Sequence, residues 1–424
     1  MRFQTLKGFN DILPEDYAYW RFVLGKAVEL SDRFGYEQID TPILEATRLF
    51  LRGLQEGSAI VLDKELYSFE DHDGTNVSLR PEFTAGVMRA YVEHGMHTRP
   101  RPVKLFAIGP LFRHEKPQAG RFRQHVQFNA ELLGEEDAAA DLEIMQLAYS
   151  LYHELGFKGL QFQLNSIGCP DCRPAYIEKL VAYFQNHHDT LPEVDRRRLR
   201  VNPLRVLDTK EEATLALLEE APRAIDHLCE TCREHFESLT GYLDVLALPY
   251  VINPRLVRGF DYYVRTVFEV WGEELGAQNA LCGGGRYDGL VESVGGPKTP
   301  GVGVGIGIER IVLSLKAQGI EPPALPRPEI MTLHLGAEAK TRAVLLTSEL
   351  RNAGIPALLA FGSRSLKSQL KSAHRAGVRY AVILAEDELA RGVATVRDMV
   401  DSSQQEVPLS GLLSWLRQRL EIPS

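Results

Sequence analysis

No stretch of the 424-residue chain reaches the ~18 consecutive apolar residues that a membrane-spanning helix needs. The opening residues, Met1-Arg2-Phe3-Gln4-Thr5-Leu6-Lys7, lack the apolar h-region of a secretory signal. Both absences point to a cytoplasmic protein, whose five cysteines stay reduced. Net positive charge is also missing: the formal charge is -9, which excludes a globally basic coat for nucleic acid. The deficit is uneven. From Glu329 onward 12 Lys+Arg face 10 Asp+Glu, a net +2, which leaves -11 for the rest. A polyanion would sit more readily on the tail. There is no internal repeat and no low-complexity tract. Nor is there a phosphate-binding fingerprint. Gly-x-x-x-x-Gly-Lys-Ser/Thr does not occur, and Gly-x-Gly-x-x-Gly fails around Gly301–Gly307 because Ile306 and Ile308 stand where a third glycine is needed. Any nucleotide must be gripped by arginines on an antiparallel sheet.

What is present is ordinary for a globular protein: 44% apolar and 25% charged residues. The length suits two to four domains at ~100–200 residues each. Tyr17, Trp20, Val23, Leu24, Val28 and Leu30 recur at helical spacing, so Pro14 to Phe34 reads as a helix stopped by Gly35. Gln38 to Leu44 reads as extended, with Pro42 marking an edge or bulge. Val103–Phe112 and Gln124–Leu133 read as a hairpin with a long tip at Pro117-Gln118-Ala119-Gly120. Cys169 to Leu248 is mostly helical in pattern and strongly charged. Strand signals return at Arg265–Trp271 and Val302–Ile308, the latter leading into a helix over Glu309–Lys316. Four prolines in Glu321–Pro328 make a stiff linker. Beyond it, strands (Ile330–Leu335, Ala357–Ala360, Tyr380–Leu384) alternate with helices (Glu338–Asn352, Ser365–Ala376, Leu409–Leu420), as in a separate small α/β domain.

Four constellations carry chemistry. Arg113-His114-Glu115 enters the hairpin tip and Arg121-Phe122-Arg123 leaves it; arginine forks grip phosphate and carboxylate in two places at once, though a solvated charged turn would look the same. Leu256 to Tyr263 sets an arginine and an acid beside two tyrosines, which suits either a polar pocket with aromatic walls or a strand entry with core tyrosines. Cys282 to Gly289 is rich in glycine. Gly301 to Gly307 has glycine at every second position, which leaves one strand face bare for backbone or ligand to approach. Glu309-Arg310 closes it.

Taken together these segments resemble the class II histidyl-tRNA synthetases from end to end. Gly8-Phe9-Asn10-Asp11 and the helix to Pro42 are similar to that family's opening and its dimer-forming first motif. Leu79 to Ala85, with Phe112 to Gln118, Gln127 and Glu131, resemble its second motif, and Gly305 to Arg310 its third. Arg258-Gly259-Phe260-Asp261-Tyr262-Tyr263 and Gly284 to Gly289 resemble the two signatures peculiar to the histidine enzyme. The resemblance implies an α+β catalytic domain built on an antiparallel sheet (1–168 and 249–320), a helical insertion (169–248), the linker (321–328) and a C-terminal α/β anticodon-binding domain (329–424). It implies a cytoplasmic homodimer that uses ATP with Mg²⁺ to join L-histidine to tRNA(His). Carried over by residue, Glu82, Thr84 and Gln127 hold the α-amino group of histidine, with Phe83 in the same stretch. Glu131 and Tyr263 read the imidazole, with Tyr262 beside them. Arg113 and Arg258 grip the α-phosphate of ATP, Arg258 also meeting the charge that develops there. Arg310 takes the γ-phosphate end, and Glu115, Arg121 and His125 complete the nucleotide site.

There are departures from the family pattern. Phe83 stands where glycine is common, which reshapes the amino-group pocket. Lys116 replaces an arginine beside Gln118 in the loop that meets the tRNA end, and His125 replaces an aromatic that stacks on adenine. In the tail, Arg364, Lys367, Lys371 and Arg375 fall at i, i+3, i+7 and i+11 on one helix face, suited to tRNA or simply solvated. Cys169-Pro170-Asp171-Cys172 and Cys229-Glu230-Thr231-Cys232 are two CxxC pairs, 56 residues apart. They suit a structural zinc with four thiolates, or else small buried residues or a redox pair. Two rivals remain: a synthetase-like regulatory subunit of ATP phosphoribosyltransferase, which typically lacks the tail and parts of the histidine signatures, and a class II synthetase for proline, glycine or threonine.

Overall fold

Trp20, Val23, Ala27 and Leu30 share one face of the helix Tyr17–Phe34 and are all buried, and Gly35 ends the helix at φ 75°, a conformation that suits glycine. Tyr17, at the first turn of the same helix, is instead exposed. In the computed structural model the described residues are 3–52, 65–115, 122–259, 262–272 and 280–420. They form two units, residues 1–323 and 324–424.

The first unit holds β1 (Glu37–Gln38), β2 (Leu44–Ala46), β3 (Tyr67–Glu70), β4 (Asn76–Leu79), β5 (Val103–Phe112), β6 (Gln124–Leu133), β7 (Gln161–Ser166), β8 (Tyr250–Ile252), β9 (Val264–Trp271), β10 (Ala280–Arg286) and β11 (Gly301–Gly307). Eight of these make one sheet in the order β1-β5-β6-β11-β10-β9-β7-β8. Its six central strands are antiparallel, whereas the outer pairs β1–β5 and β7–β8 are parallel. β2, β4 and β3 form a small antiparallel sheet.

The period of two along each strand divides the large sheet into an apolar face and a polar one. Phe128, Ala130, Leu132, Phe162, Leu164, Phe268, Val270, Val304 and Ile306 point one way. They bury against the helices Tyr17–Phe34, Ala138–Glu154 and Ile308–Ala317. Gln127, Asn129, Glu131, Gln163, Asn165 and Glu269 point the other way. Burying the eight larger of these side chains at ~1.5–3 kcal/mol each is ample to hold a polar face in shape on the far side.

Between β7 and β8 the helices Arg173–Asn186, Glu193–Val201 and Glu212–Leu217 enclose a small core of their own around Tyr176, Leu180, Phe184, Leu191 and Leu199. Buried Asp195 closes it, accepting from Thr209 and Thr214 Oγ1 at 2.7 Å each and pairing with Arg198 at 2.8 Å. The next helix, Glu230–Val245, packs elsewhere: Phe236, Leu239 and Leu243 join the main core beside the helix Ala138–Glu154. A fully buried ion pair, Arg286–Asp141, ties β10 to that helix, and the guanidinium also donates to the Glu135 and Asp137 carbonyls at 2.9 and 3.2 Å. Burial alone would raise the Asp141 pKa, but the guanidinium outweighs it and holds the group at about 2.

The second unit is an α/β sheet, β12 (Ile330–Leu335), β13 (Ala357–Leu359), β14 (Tyr380–Ala385), β15 (Val393–Asp398) and β16 (Gln404–Pro408), in the order β13-β12-β14-β15-β16. β13, β12 and β14 are parallel; β15 and β16 form an antiparallel hairpin that the sequence pattern did not reveal. The helix read as starting at Ser365 covers Leu366–Ala376, with Ser365 as its N-cap residue. Arg364 therefore precedes the helix, and Lys367, Lys371 and Arg375 alone of that set share it, all exposed. Gln369 holds the turn: its Nε2 donates to the carbonyls of Arg364 and His334.

Candidate active site

The polar face of the sheet is floored with glycine. Gly303 and Gly305 of β11 stand opposite Gly285 and Gly283 of β10, and opposite Glu131 and Asn129 of β6. The face expected to be bare is filled by neighbouring side chains. A Cβ on Gly303 would overlap the Glu131 carboxylate, one on Gly305 the Gln127 amide, and one on Gly283 the Arg258 guanidinium. On Gly301 it would lie 2.5 Å from the Tyr287 ring. Each glycine thus lets one functional side chain lie flat on the sheet.

Glu131 sits at the bottom. It is fully buried, accepts from the Tyr287 hydroxyl and takes a 2.5 Å hydrogen bond from Asn129 Nδ2. Burial pushes its carboxyl up to about 8, against hydrogen bonds from Thr84 and Tyr287 and with the charge of Glu82 adding to the rise. Tyr262, Tyr263 and Tyr287 build an aromatic wall, with ring centroids 4.8, 6.0 and 6.5 Å apart pairwise. All three phenols are pushed upward by burial and stay neutral donors. Glu82, also buried, is raised by desolvation; one oxygen accepts from Ala85 N at 2.8 Å, while Oε2 has no hydrogen-bond partner among the described residues. A buried carboxylate oxygen left open next to a cavity is suited to an ammonium.

Arg258 crosses Gly283 to pair with Glu269 of β9, Nη1 to Oε1 at 2.8 Å, and Glu269 also accepts from Trp271 Nε1 at 2.9 Å. Arg113 leaves β5 with Nε donating to the Pro81 carbonyl at 2.8 Å. The residues Glu82, Thr84, Arg113, Gln127, Arg258, Tyr262 and Tyr263 surround one cavity of about 950 Å³. Asp208, Thr209 and Lys210 of the insertion form part of its wall. That volume is ample for an amino acid and a nucleotide together.

The family model for histidyl-tRNA synthetase matches residues 8–311. The chain belongs to the histidyl-tRNA synthetase family. A model for an anticodon-binding domain matches residues 329–419. The chain is 46% identical over 418 residues to the histidine–tRNA ligase of Dehalococcoides mccartyi, covering 99% of this chain and 100% of that one. It is 47% identical over 414 residues to that of Pelotomaculum thermopropionicum, covering 98% and 97%. In three dimensions it is similar to the apo histidyl-tRNA synthetase of S. aureus, with TM-score 0.83 and 34% identity over 98% of this chain and 99% of that one. The fold is that of a class II synthetase with a C-terminal anticodon-binding domain.

Set on the synthetase frame, the expected site residues divide. Glu82, Thr84, Gln127, Tyr262, Tyr263, Arg113 and Arg258 line the cavity, and Glu131 lies directly beneath it. Phe83 does not reach it: the ring has no exposure, packs with Val87, Leu105 and Leu111, and carries the Arg80 guanidinium 4.4 Å over its centre. His125, Glu115 and Arg310 stand outside the lining as well. His125 has its pKa lowered to about 4 by burial, with Arg113 adding to the fall, so its ring is neutral. Arg310 lies in the first turn of the helix Ile308–Ala317 that follows β11. Lys116, Gln118 and Arg121 lie outside the described residues. Sequence reasoning missed Asn129 and Glu269, although strand alternation from Gln127 to Glu131 could have found Asn129, and it placed Tyr287 in a signature segment without giving it a role. It also missed Arg80, which donates to the Thr41 and Pro110 carbonyls and so fixes the turn that presents Glu82. Glu309, placed in the third motif by its sequence, had no role assigned; its carboxylate accepts from Val126 N at 2.8 and 3.0 Å, pinning that motif to β6, and burial raises its pKa to about 7.

Proposed function

We propose that the chain activates L-histidine with ATP to histidyl-adenylate and pyrophosphate, then passes histidine to the 3′ end of tRNA(His). The observation that carries this reading is the single cavity in which a buried acid–tyrosine cluster adjoins two arginines. The acids Glu82 and Glu131, with the phenols, suit a ligand that has an ammonium and a ring able both to donate and to accept. Glu82, Thr84 and Gln127 take the α-amino group; Glu131 and Tyr263 take the imidazole, backed by Tyr262 and Tyr287. The histidine carboxylate then faces Arg113 and Arg258. Its oxygen attacks the α-phosphorus, the bond to the bridging oxygen breaks, and pyrophosphate leaves. No protein nucleophile is needed; positioning and fixed cations do the work. Mg²⁺ brought with ATP would offset the charge of the phosphates. Transfer follows when a ribose hydroxyl of the tRNA end attacks the adenylate carbonyl and AMP departs.

Arg310 and neutral His125 serve the outer phosphate and the adenine, and Glu115, Arg121, Lys116 and Gln118 the loop around ATP and the tRNA end. Arg364, Lys367 and Lys371 meet the anticodon arm. The working form is a cytoplasmic homodimer: Ile12, Leu13, Tyr17, Ile43 and Leu44 are exposed in the single chain, in and beside the segment that resembles the dimer-forming motif. A structural zinc at the four paired cysteines belongs to the same reading and takes no part in the chemistry. The test is ATP–pyrophosphate exchange across all twenty amino acids. Exchange with histidine alone is expected; equal exchange with proline or threonine would overturn the assignment.

A further inference from the structure

The four paired cysteines meet at the neck of the insertion. Cys172 is the N-cap residue of the helix Arg173–Asn186, and Cys229 that of the helix Glu230–Val245. Their sulfurs, with those of Cys169 and Cys232, all lie within 4.8 Å of one another. Cys169–Cys172, Cys169–Cys229 and Cys172–Cys232 are 3.7, 3.8 and 3.9 Å apart, and none is a disulfide. Four thiolates about 2.3 Å from a central zinc stand about 3.8 Å apart at the corners of a tetrahedron. An iron–sulfur cluster would hold them wider, because irons and bridging sulfides lie between.

The backbone is shaped for anionic sulfur. Cys169 N donates to Cys172 Sγ at 3.3 Å. Gly168, at φ 71°, brings the chain so near that a Cβ there would sit 2.8 Å from the same sulfur. Two helix N-termini converge on the cluster, and their dipoles favour negative charge.

The neck is also wired to the pocket. Arg173, next to Cys172, donates to the Ile167 and Gly168 carbonyls at 3.1 Å each and to the Tyr263 carbonyl at 2.6 Å. Beyond the neck, Arg205 of the insertion donates to the Gly259 carbonyl at 2.8 Å, just after Arg258. The backbone at Gly259 and at Tyr263 is therefore held by residues whose own placement depends on the neck.

We infer that Cys169, Cys172, Cys229 and Cys232 bind one zinc ion that clamps the entry and exit of the insertion and, through Arg173, fixes the backbone carrying Tyr263. The ion is a positioning device for the histidine pocket. With four thiolates it has no open coordination site and no substrate role. Metal content and amide exchange test this clamp by themselves; the histidine KM alone rests on the proposed histidine activation.

Zinc in protein purified without chelator is measured by elemental analysis, and cobalt-substituted protein by its visible d–d bands and near-ultraviolet thiolate-to-metal absorption. One metal per chain and a tetrahedral tetrathiolate spectrum are expected, with Cys172→Ser and Cys232→Ser each losing both and Cys282→Ser keeping them. Should the neck variants fail to fold, a mercurial thiol reagent titrated into the wild type, with a dye to detect freed zinc, gives the same answer. No metal in the wild type, or metal retained after loss of both Cys172 and Cys232, overturns the site. Zinc release should raise amide exchange at least about tenfold in 173–228 and in 262–265, and raise the histidine KM by a similar factor with a smaller change in kcat. Release that leaves exchange at 262–265 unaltered overturns the link to the pocket, whatever the activity.

Discussion

Arg258 and Glu269 form an ion pair across the bare backbone of Gly283, Nη1 to Oε1 at 2.8 Å. Glu269 fixes one nitrogen of the guanidinium, so the arginine meets its substrate already oriented. A donor held in place and aimed at charge that develops in the transition state acts on rate more than on binding. Arg258→Ala should lower kcat for histidine-dependent exchange by at least about a hundredfold, or ~3 kcal/mol, with far less change in the histidine KM. Glu269→Gln should lower kcat by a smaller factor, because the guanidinium remains but loses its anchor. Exchange kinetics beside thermal melts check both; a normally folded Arg258→Ala with near-native kcat would refute the role.

Gly305 and Gly303 are adjacent in role but should answer differently to a methyl group. At Gly305 the new Cβ meets the end of the Gln127 side chain, which can swing aside. Gly305→Ala should therefore keep its melting temperature within a few degrees while the histidine KM rises at least about tenfold. At Gly303 the Cβ also meets the Ala130 carbonyl at 2.8 Å, and backbone cannot step away. That variant should lose stability by ~1–3 kcal/mol, the usual cost of overpacking. Equal melting points for the two would contradict this account.

Glu131 carries its proton to about pH 8, far above the ordinary carboxyl value of 4.5. A raised carboxyl contributes most below its unfolded pKa, and that contribution is lost as pH rises through the folded value. The ligand-free enzyme should thus lose stability between about pH 4.5 and 8, and Glu131→Gln should flatten that limb. Supplying a cation to the Glu82–Glu131 pair lowers both pKa values, so histidine binding near pH 7 should release protons. Calorimetry in two buffers of different ionisation enthalpy measures the release; identical heats would count against a protonated Glu131.

Cutting the chain between residues 322 and 328 should leave histidine activation intact and weaken tRNA charging. The tail has its own core around Ile330, Leu346, Val382 and Leu416, and its exposed Lys367, Lys371 and Arg375 share one helix. Phosphate contacts made by such residues weaken as salt rises. Charging assays from low to moderate salt decide it: unchanged efficiency in the truncated protein would remove the tail from tRNA binding.

Much of the fold was legible where the pattern was long and regular. The hairpin β5–β6 and the strand β9 match their expected positions nearly residue for residue, as do the first helix and the parallel strands of the tail. β10 was not legible as a strand, because Ala280-Leu281-Cys282-Gly283-Gly284-Gly285-Arg286 has almost no strand propensity; pairing on both sides makes it one. The helix Glu230–Val245 gave no local sign that it packs in the main core, since that depends on the helix Ala138–Glu154 far away in sequence. At the site, residues in signature segments were readable, although the role of Tyr287 within its segment was not, because that role and the importance of Glu269 come from partners on other strands. Phe83 shows the opposite failure: it sits in a motif, yet the apolar ring turned to the core as its chemistry dictates.

The glycine floor also limits how this pocket can change. Glycine is the smallest residue, so Gly283, Gly303 and Gly305 cannot be traded for anything that deepens the cavity, and any larger residue evicts Arg258, Glu131 or Gln127. Room for a bulkier amino acid can come only from the opposite side, from Tyr262, Tyr263 and the insertion residues Asp208 to Lys210. An engineer wishing to alter substrate choice has one wall to work on, and it is the wall whose backbone is tethered by Arg173 and Arg205.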